Sequence, residues 1–186
     1  MIGHAFPAVL DAARAGQRSA LEAIYRDLAP AVLGYLRGQG AAEHEDLASE
    51  VFVGVVRGLP RFDGDERAFR SWVFSIAHRR LIDERRRLAR RREDPVEPST
   101  LAGPLASSSG GDAEEEATAR MGQAWAVRAL DVLTEDQRSV LLLRVLADLS
   151  VAEVAGLLGK RPGAVKTLQR RALASLARHL ERQGVS

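Results

Sequence analysis

The chain has 186 residues, 46% hydrophobic and 28% charged, a balance ordinary for one or two small globular domains. The formal net charge is only +2, and cysteine is absent, so disulfides, thiolate catalysis and cysteine-based metal sites are excluded. No apolar run approaches the roughly 20 residues that span a bilayer, and residues 1–16 do not resemble a signal peptide. The four histidines are scattered, so we expect no metal site and no cofactor. Because neither a membrane span nor a signal peptide is predicted, we expect a cytoplasmic protein without membrane insertion.

Residues 1–17 carry no interpretable signal and are assigned as an N-terminal extension. Helical spacing of apolar residues over residues 8–37 predicts one or two core helices, with Pro30 as a point where the chain could kink. Residues 41–59 predict another helix, and its first turn is acidic, which favours the helix dipole. Glu50 lies beyond that turn and requires solvent or a basic partner surface. The core stripe of this helix is Leu47, Val51, Val55 and Leu59.

Residues 60–69 predict a short loop, because Pro60 and the Asp63–Gly64 pair are turn signals. Phe62 lies at its centre and Phe69 at its end. Two interpretations remain open at this stage: the aromatic rings pin the loop to the core, or they help to form a pocket for an unstacked base.

Residues 66–92 predict a long helix with eight arginines from Arg79 to Arg92, opposed only by Asp83 and Glu84. Arginine at this density along a helix indicates phosphate binding. Trp72 lies on the same side as Arg79 and could stack on a base, a contact worth about 1–3 kcal/mol. The combination favours single-stranded DNA, and the alternative is a solvated helix with a buried tryptophan. The predicted core face is Phe74, Ala77, Leu81 and Leu88.

Residues 93–112 predict a flexible linker, rich in Pro, Gly, Ser and Ala, that averages about 25 Å as a coil. Seven acids and no basic residue occur in residues 93–116. Residues 113–132 resume as a helix with Met121 and Trp125 available for a core. Thr134 and Gln137 then form a capping-box candidate that begins the next helix.

Residues 134–180 predict a helix-turn-helix. Ser150 and Glu153 have the form of a capping box, Gly159 suits a C-terminal cap, and Pro162 suits the first turn of the next helix. On that second helix Val165, Leu168, Ala172 and Leu176 form an apolar stripe opposite a cationic face. Six basic residues and no acid occur between Lys160 and Arg178. This pattern fits the major groove of DNA, whereas the alternative is a solvated helix pair in a bundle.

The sequence thus predicts an all-α chain of two small helical domains, residues 18–92 and 113–186, joined by the linker 93–112. Three segments in this order resemble the extracytoplasmic-function (ECF) class of bacterial RNA polymerase sigma factors, namely sigma domains two and four. They are EDLASEVFVGVVRGLPRF, FRSWVFSIAHRRLIDERRR and LTEDQRSVLLLRVLADLSVAEVAGLLGKRPGAVKTLQRRAL.

The resemblance implies a promoter-specificity subunit rather than an enzyme, with core RNA polymerase and promoter DNA as partners and an anti-sigma protein as a further partner. Core contact, on the clamp of the largest polymerase subunit, is implied for Asp46, Glu50 and Phe52. Contact with the melted minus-ten strand is implied for Arg61, Phe62, Asp63, Phe69, Trp72, His78, Arg79 and Arg86. Contact with the minus-thirty-five duplex is implied for Lys160, Arg161, Gly163, Ala164, Lys166, Thr167, Arg170 and Arg171.

Some positions depart from the family pattern. Val56 stands where tryptophan is frequent and Arg79 where asparagine is common, while Leu168 and Gln169 exchange the usual polar–apolar order.

Two other function classes compete with the main interpretation. A free-standing regulator would use only the helix-turn-helix and leave the arginine helix unexplained. A metal-dependent enzyme would need Asp46 and Glu50 as ligands, yet the sequence has no phosphate loop or nucleophile–base pair.

Overall fold

The structure is a computed structural model that describes residues 1–93, 122 and 125–184. Every regular element in these ranges is a helix, which confirms the predicted all-α class. The predicted linker, apart from Glu93, and most of the predicted helix 113–132 lie outside the described residues; residues 125–129 are helical. The helices are α1 Phe6–Arg14, α2 Arg18–Gly38, α3 His44–Gly58, α4 Glu66–Glu93, α5 Glu135–Val145, α6 Val151–Leu158 and α7 Pro162–Arg182.

The first domain begins before residue 18, because α1 belongs to its core. Phe6, Leu10 and Ala13 recur at helical spacing and are all buried in the common hydrophobic cluster. Phe6 packs against Phe69 with ring centroids 5.4 Å apart. Residues 1–17, expected to be an extension, therefore supply one of the four helices of this domain.

Helices α2 and α3 form the centre of the first domain. Helix α2 continues through Pro30, and the ring of this proline is exposed to solvent. The predicted stripe of α3 is confirmed, since all four of its residues are at most 6% exposed: Leu47, Val51, Val55 and Leu59. The short 3-10 turn Leu59–Arg61 then leads into α4.

Helix α4 begins where Asp65 accepts a hydrogen bond from the backbone N–H of Ala68, at 2.7 Å. The loop before it is therefore shorter than the predicted residues 60–69. Phe74, Ala77 and Leu81 are fully buried, as predicted for the core face. Leu88 was assigned to that face wrongly: it is 40% exposed, because its turn of α4 lies in a wholly exposed stretch, residues 86–91.

In the second domain, helices α5, α6 and α7 begin at the residues that the sequence predicts. Both capping boxes form, with Thr134 and Gln137 at the start of α5 and Ser150 and Glu153 at the start of α6. Gly159 adopts the left-handed conformation, φ 63°, at the end of α6, and α7 starts with Pro162. These features confirm the predicted helix-turn-helix.

The two domains pack directly on each other. Val140, Leu143, Leu149 and Val154 of the second domain are fully buried in the same cluster as the core of the first. Helix α5 lies on α2, and α6 lies beside α4. A smaller cluster of Leu133, Leu141 and Ala172 joins α5 to α7 within the second domain.

Candidate nucleic-acid interface

Helix α7 has one buried and one cationic face. Val165 and Ala172 are fully buried, and Leu168 and Leu176 are partly buried against the core, which confirms the predicted apolar stripe. The helix is anchored along this stripe, so its opposite face points outward. The predicted contact residues exposed there are Arg161, Gly163, Ala164, Lys166, Arg170 and Arg171.

Two predicted contact residues of this helix-turn-helix have partners within the domain. Lys160 Nζ lies 2.8 Å from Asp136 Oδ2, an ion pair that ties the turn before α7 to the first turn of α5. Thr167 Oγ1 donates to the carbonyl of Gly163 at 3.0 Å and is half-buried. The Asp136 pair partly neutralises Lys160, so Lys166, Arg170 and Arg171 carry most of the free positive charge of this surface.

Helix α4 carries arginine on two different faces. At 100° per residue, Trp72, Arg79 and Arg86 fall within about 40° of each other. Arg79 and Arg86 are exposed, and Trp72 is half-buried. A second set of arginines lies about 100–160° around the helix axis from the first set. These arginines bond to residues of the second domain, and they are Arg67, Arg70 and Arg85. Of the eight arginines counted from Arg79 to Arg92, Arg80 and Arg85 are half-buried and paired with Glu50 and Glu135, so the count overstates the free positive charge of this helix.

An aromatic cluster joins the loop to α4. Phe62 stacks on Trp72 with centroids 5.1 Å apart and an interplanar angle of 30°, and it meets Phe69 edge-on at 5.1 Å. Trp72 also rests on the end of α3, where a β-carbon at Gly58 would lie 2.5 Å from Cζ2 of the indole. Glycine at this position is what lets the indole approach the helix backbone.

Phe69 lies in the core rather than on the interface. It is only 2% exposed, between Phe6, Phe62 and Trp72, because it belongs to the first turn of α4 and not to the loop. Of the two interpretations of the loop aromatics, Phe69 follows the first and holds the loop to the core. Phe62 is half-buried, and its neighbours Arg61 and Asp63 are exposed.

His78 points into the protein. Its Nδ1 lies 2.8 Å from the hydroxyl of Tyr35, which is completely buried. Burial, followed by the charge of Arg85, lowers the pKa of His78 below its ordinary value. Burial also raises the pKa of Tyr35, so the phenol stays protonated. In this arrangement His78 is a neutral hydrogen-bonding partner of Tyr35 and does not face the exposed surface of Arg79.

The acidic start of α3 presents a third surface. Asp46 and Glu50 are exposed, and Glu50 forms an ion pair with Arg80 of α4 at 3.6 Å. Phe52 is half-buried and packs on Tyr25 with centroids 4.7 Å apart. Both rings line an apolar groove between α2 and α3, together with Leu21, Leu33 and Val56.

Sequence patterns alone did not identify the residues that hold the two domains together. Gln39 and Arg70 bond to residues 76–100 positions away in the sequence, and Arg85 bonds to Glu135 fifty positions away. No spacing rule relates such distant partners. The one available signal was the excess of arginine in α4 over what a single DNA-facing side requires.

In the described part of the chain, no group of three or more His, Asp or Glu side chains could hold a metal ion. Glu50, one of the two ligands that a metal-dependent enzyme would need, is paired with Arg80. None of the helices in the same residues is long and apolar enough to cross a membrane.

The chain matches two family models, Sigma-70 region 2 over residues 24–91 and Sigma-70 region 4 over residues 123–176. It is 36% identical over 168 residues to the ECF RNA polymerase sigma factor ShbA of Streptomyces griseus, with 87% of each chain covered. The chain belongs to the ECF RNA polymerase sigma factors. It is also 32% identical over 185 residues to the sigma factor SigD of Mycobacterium tuberculosis, covering 95% of this chain and 84% of SigD.

A solved structure has the same fold. This is CnrH in complex with the cytosolic domain of CnrY, with a TM-score of 0.66, 22% identity, and coverage of 96% of this chain and 99% of the other. As an ECF sigma factor the chain binds core RNA polymerase and promoter DNA and directs promoter-specific transcription initiation. Members of this family are initiation factors and not enzymes.

Proposed function

We propose that the sigma factor divides promoter recognition between its domains: α4 and the preceding loop hold the minus-ten element as a melted strand, and α7 binds the minus-thirty-five element as duplex. The observation that carries this proposal is the difference between the two cationic surfaces. The surface on α4 combines arginine with stacked aromatic rings, whereas the described surface of α7 has arginine and lysine without aromatic rings.

The aromatic rings support the single-strand assignment. A base must leave the duplex stack before it can lie on a ring, and flipping costs a few kcal/mol. Stacking on an aromatic side chain returns about 1–3 kcal/mol per base. Trp72 lies against Phe62, Phe69 and the end of α3, whereas Phe62 stands in the loop between two exposed neighbours. We therefore assign the direct base contact to Phe62 and a supporting position to Trp72. Arg79 and Arg86 lie where phosphates of the same strand would pass.

The exposed face of α7 supports the duplex assignment. A recognition helix inserts its N-terminal residues into the major groove, where side chains contact base edges without melting. Arg161, Lys166 and Arg170 occupy the first turns of α7 and the turn before it, and Gly163 and Ala164 leave room for close approach. The capping box of α6 and the left-handed Gly159 fix the angle at which this helix is presented.

For the contact with core polymerase we propose the surface of Asp46, Glu50 and Phe52, directed at the clamp of the largest subunit. The two acids are exposed, and Phe52 borders an apolar groove whose charged lining residues are Arg18, Glu22 and Arg26. Acidic residues beside an apolar groove favour a basic helical partner. We further propose an anti-sigma protein as a regulatory partner, since the fold relative CnrH assembles with the cytosolic domain of CnrY.

The division of labour is tested with reconstituted holoenzyme. Phe62→Ala and Trp72→Ala should reduce permanganate reactivity of unpaired thymines in the minus-ten element while closed complexes form as before. Arg170→Ala should weaken closed complexes and leave binding to core polymerase intact. Equal losses in closed and open complexes for Trp72→Ala would contradict a strand-holding role. A second candidate, a regulator that binds DNA without polymerase, predicts tight duplex binding by the free chain.

A further inference from the structure

The amino-terminal helix α1 is bonded to the chain on both sides of the aromatic loop, residues 62–65. Before the start of α1, the backbone N–H groups of Ile2 and Gly3 donate to the carboxylate of Glu66, at 2.5 Å and 3.0 Å. At the other end of α1, the guanidinium of Arg14 reaches the turn that precedes the loop. The promoter contacts proposed above use neither connection, so their purpose is open.

Arg14 bonds to backbone carbonyls at two points of that turn. Its Nη2 donates to the carbonyl of Phe62, and its Nε lies 3.5 Å from the carbonyl oxygen of Leu59. Asp11, one turn earlier on α1, holds the same guanidinium at 3.0 Å. The carbonyl end of a helical turn carries partial negative charge, and a charged donor forms stronger hydrogen bonds than a neutral one. Arg14 therefore fixes the carbonyls at both ends of the turn that leads into the loop.

The same bonds act on the residue that is assigned the direct base contact. Phe62 has an extended backbone, φ −72° and ψ 135°, and its ring lies on Trp72. Gly64, φ 151°, folds the loop back over this ring, since a β-carbon there would lie 3.1 Å from Phe62 Cζ and 2.9 Å from Ala68 Cβ. The ring is thus held by its own domain face and by Gly64, while the carbonyl of the same residue is held by Arg14 from another helix.

The attachment of α1 to its domain does not depend on Arg14. Phe6, Leu10 and Ala13 are each at most 4% exposed in the core, and Phe6 packs on Phe69. Burial of apolar side chains is the main source of such packing. Arg14 is the last residue of α1, with a side chain 32% exposed, so a neutral replacement leaves the buried face intact. Its loss should free the loop and leave the helix in place.

We propose that Arg14 is a positioning residue for promoter melting: it holds the aromatic loop in the conformation in which Phe62 receives an unstacked base. The proposal rests on the proposed function, which assigns the base contact to Phe62, and Arg14 acts through the loop without touching the strand. An apparent dissociation constant is the intrinsic one divided by the competent fraction. A loop that is competent about one tenth of the time would therefore bind the strand about tenfold more weakly.

The test uses reconstituted holoenzyme carrying Arg14→Gln, which removes the charge and the two-point contact but keeps a good helix former. Its matched control is Arg182→Gln, the same substitution at the exposed last residue of α7. We expect about tenfold fewer open complexes for Arg14→Gln, measured by permanganate reactivity in the minus-ten element. Affinity for core polymerase and closed complexes should stay at the wild-type level, as should all three measurements for the control. Arg14→Lys should restore melting only in part, because an ammonium lacks the planar fork of donors.

Two further measurements separate positioning from a general contribution to folding. Phe62→Ala already removes the ring, so adding Arg14→Gln should cause no further loss of open complexes, whereas a general loss of stability would add to it. Transcription from promoters randomised in the minus-ten element gives the second measurement. There Arg14→Gln should flatten the base preference of the wild type toward that of Phe62→Ala. Circular dichroism verifies helix content in every variant.

Wild-type melting by Arg14→Gln, together with impaired melting by Phe62→Ala, would overturn the proposal and leave the proposed function standing. Additive losses in the double variant, or an unaltered base preference in Arg14→Gln, would show that Arg14 does not act through Phe62 and would also overturn it. Failure of the proposed function is a distinct result, because Phe62→Ala itself would then melt the minus-ten element as well as the wild type, and the positioning role would fall with it.

Discussion

Gly58 at the end of α3 offers a sharp test of how Trp72 is held. In Gly58→Ala the new β-carbon would lie 2.5 Å from Cζ2 and 2.9 Å from Cη2 of the indole, which is closer than carbon atoms approach. The ring is stacked on Phe62 and cannot rotate away as a flexible side chain would. Overpacking of this kind costs about 1–3 kcal/mol, and replacing a helical glycine by alanine returns about 0.5–1 kcal/mol. Gly58 is the last residue of α3, so the return is at its low end, about 0.5 kcal/mol, and we expect net destabilisation of roughly 0.5–2.5 kcal/mol.

The measurement is urea unfolding followed by tryptophan fluorescence in a Trp125→Phe background, where Trp72 alone reports. The matched control is Gly156→Ala, which meets no atom within 4 Å and should stabilise its helix by about 0.5–1 kcal/mol. Gly54→Ala is an intermediate case, because its β-carbon would lie 3.3 Å from Ile76 Cγ2.

If Gly58→Ala proved as stable as the wild type, with unchanged Trp72 emission, the argument that glycine makes room for the indole would be refuted. The same variant has a functional consequence under the proposed function. It should lower open-complex formation while closed complexes persist, because only the strand-holding ring is displaced.

Three further outcomes are expected. Arg170→Ala should weaken binding of reconstituted holoenzyme to the minus-thirty-five duplex by about 1–3 kcal/mol and relax base preference at the contacted position. Fluorescence anisotropy with single-base variants of the duplex would show this, and a uniform loss across all sequences would exclude a base-edge contact. Ser150→Ala removes the capping box of α6 and should lower the free energy of unfolding by about 1 kcal/mol, measured in urea, and a neutral effect would contradict the capping argument. Because the folded-state pKa of His78 is lowered, the unfolded chain binds more protons, so stability should fall as pH drops below about 6.5. His78→Gln should reduce that loss, and a titration of unfolding between pH 7.5 and pH 5 checks it.

Elements defined by neighbouring residues were predictable from the sequence. Ser150 and Glu153 stand three positions apart, Gly159 ends a helix through its own backbone preference, and the α7 stripe repeats every turn. Each of these signals acts within one or two helical turns, where the chain has few conformations to choose from. The two-domain organisation was predicted because three segments that resemble the family occur in the family's order.

Features that depend on distant partners were not predictable in the same way. The helical pattern predicted over residues 8–37 covers most of α1, but the packing of Phe6 on Phe69 spans 63 positions, and no local signal predicts it. The position of Phe69 depends on where Asp65 starts α4, and a shift of a few residues moves a ring from the loop into the core. His78 lies on α4, as the sequence predicts, but the direction of its side chain is set by its hydrogen bond with Tyr35 on α2.

The two arginine faces of α4 have a consequence for counterion chemistry. With the two domains packed together, Arg67 pairs with Glu153, Arg85 with Glu135 and Arg70 with Asp27, so these arginines displace no cations from a nucleic acid. Release of the second domain would unmask the charges of Arg67 and Arg85 on the helix that also carries Arg79 and Arg86, whereas Arg70 would keep its partner Asp27 on α2. Each phosphate newly neutralised on a single strand adds about 0.7 to the salt slope. The ionic-strength dependence of strand binding thus becomes a thermodynamic gauge of domain separation, and it requires no label on the protein.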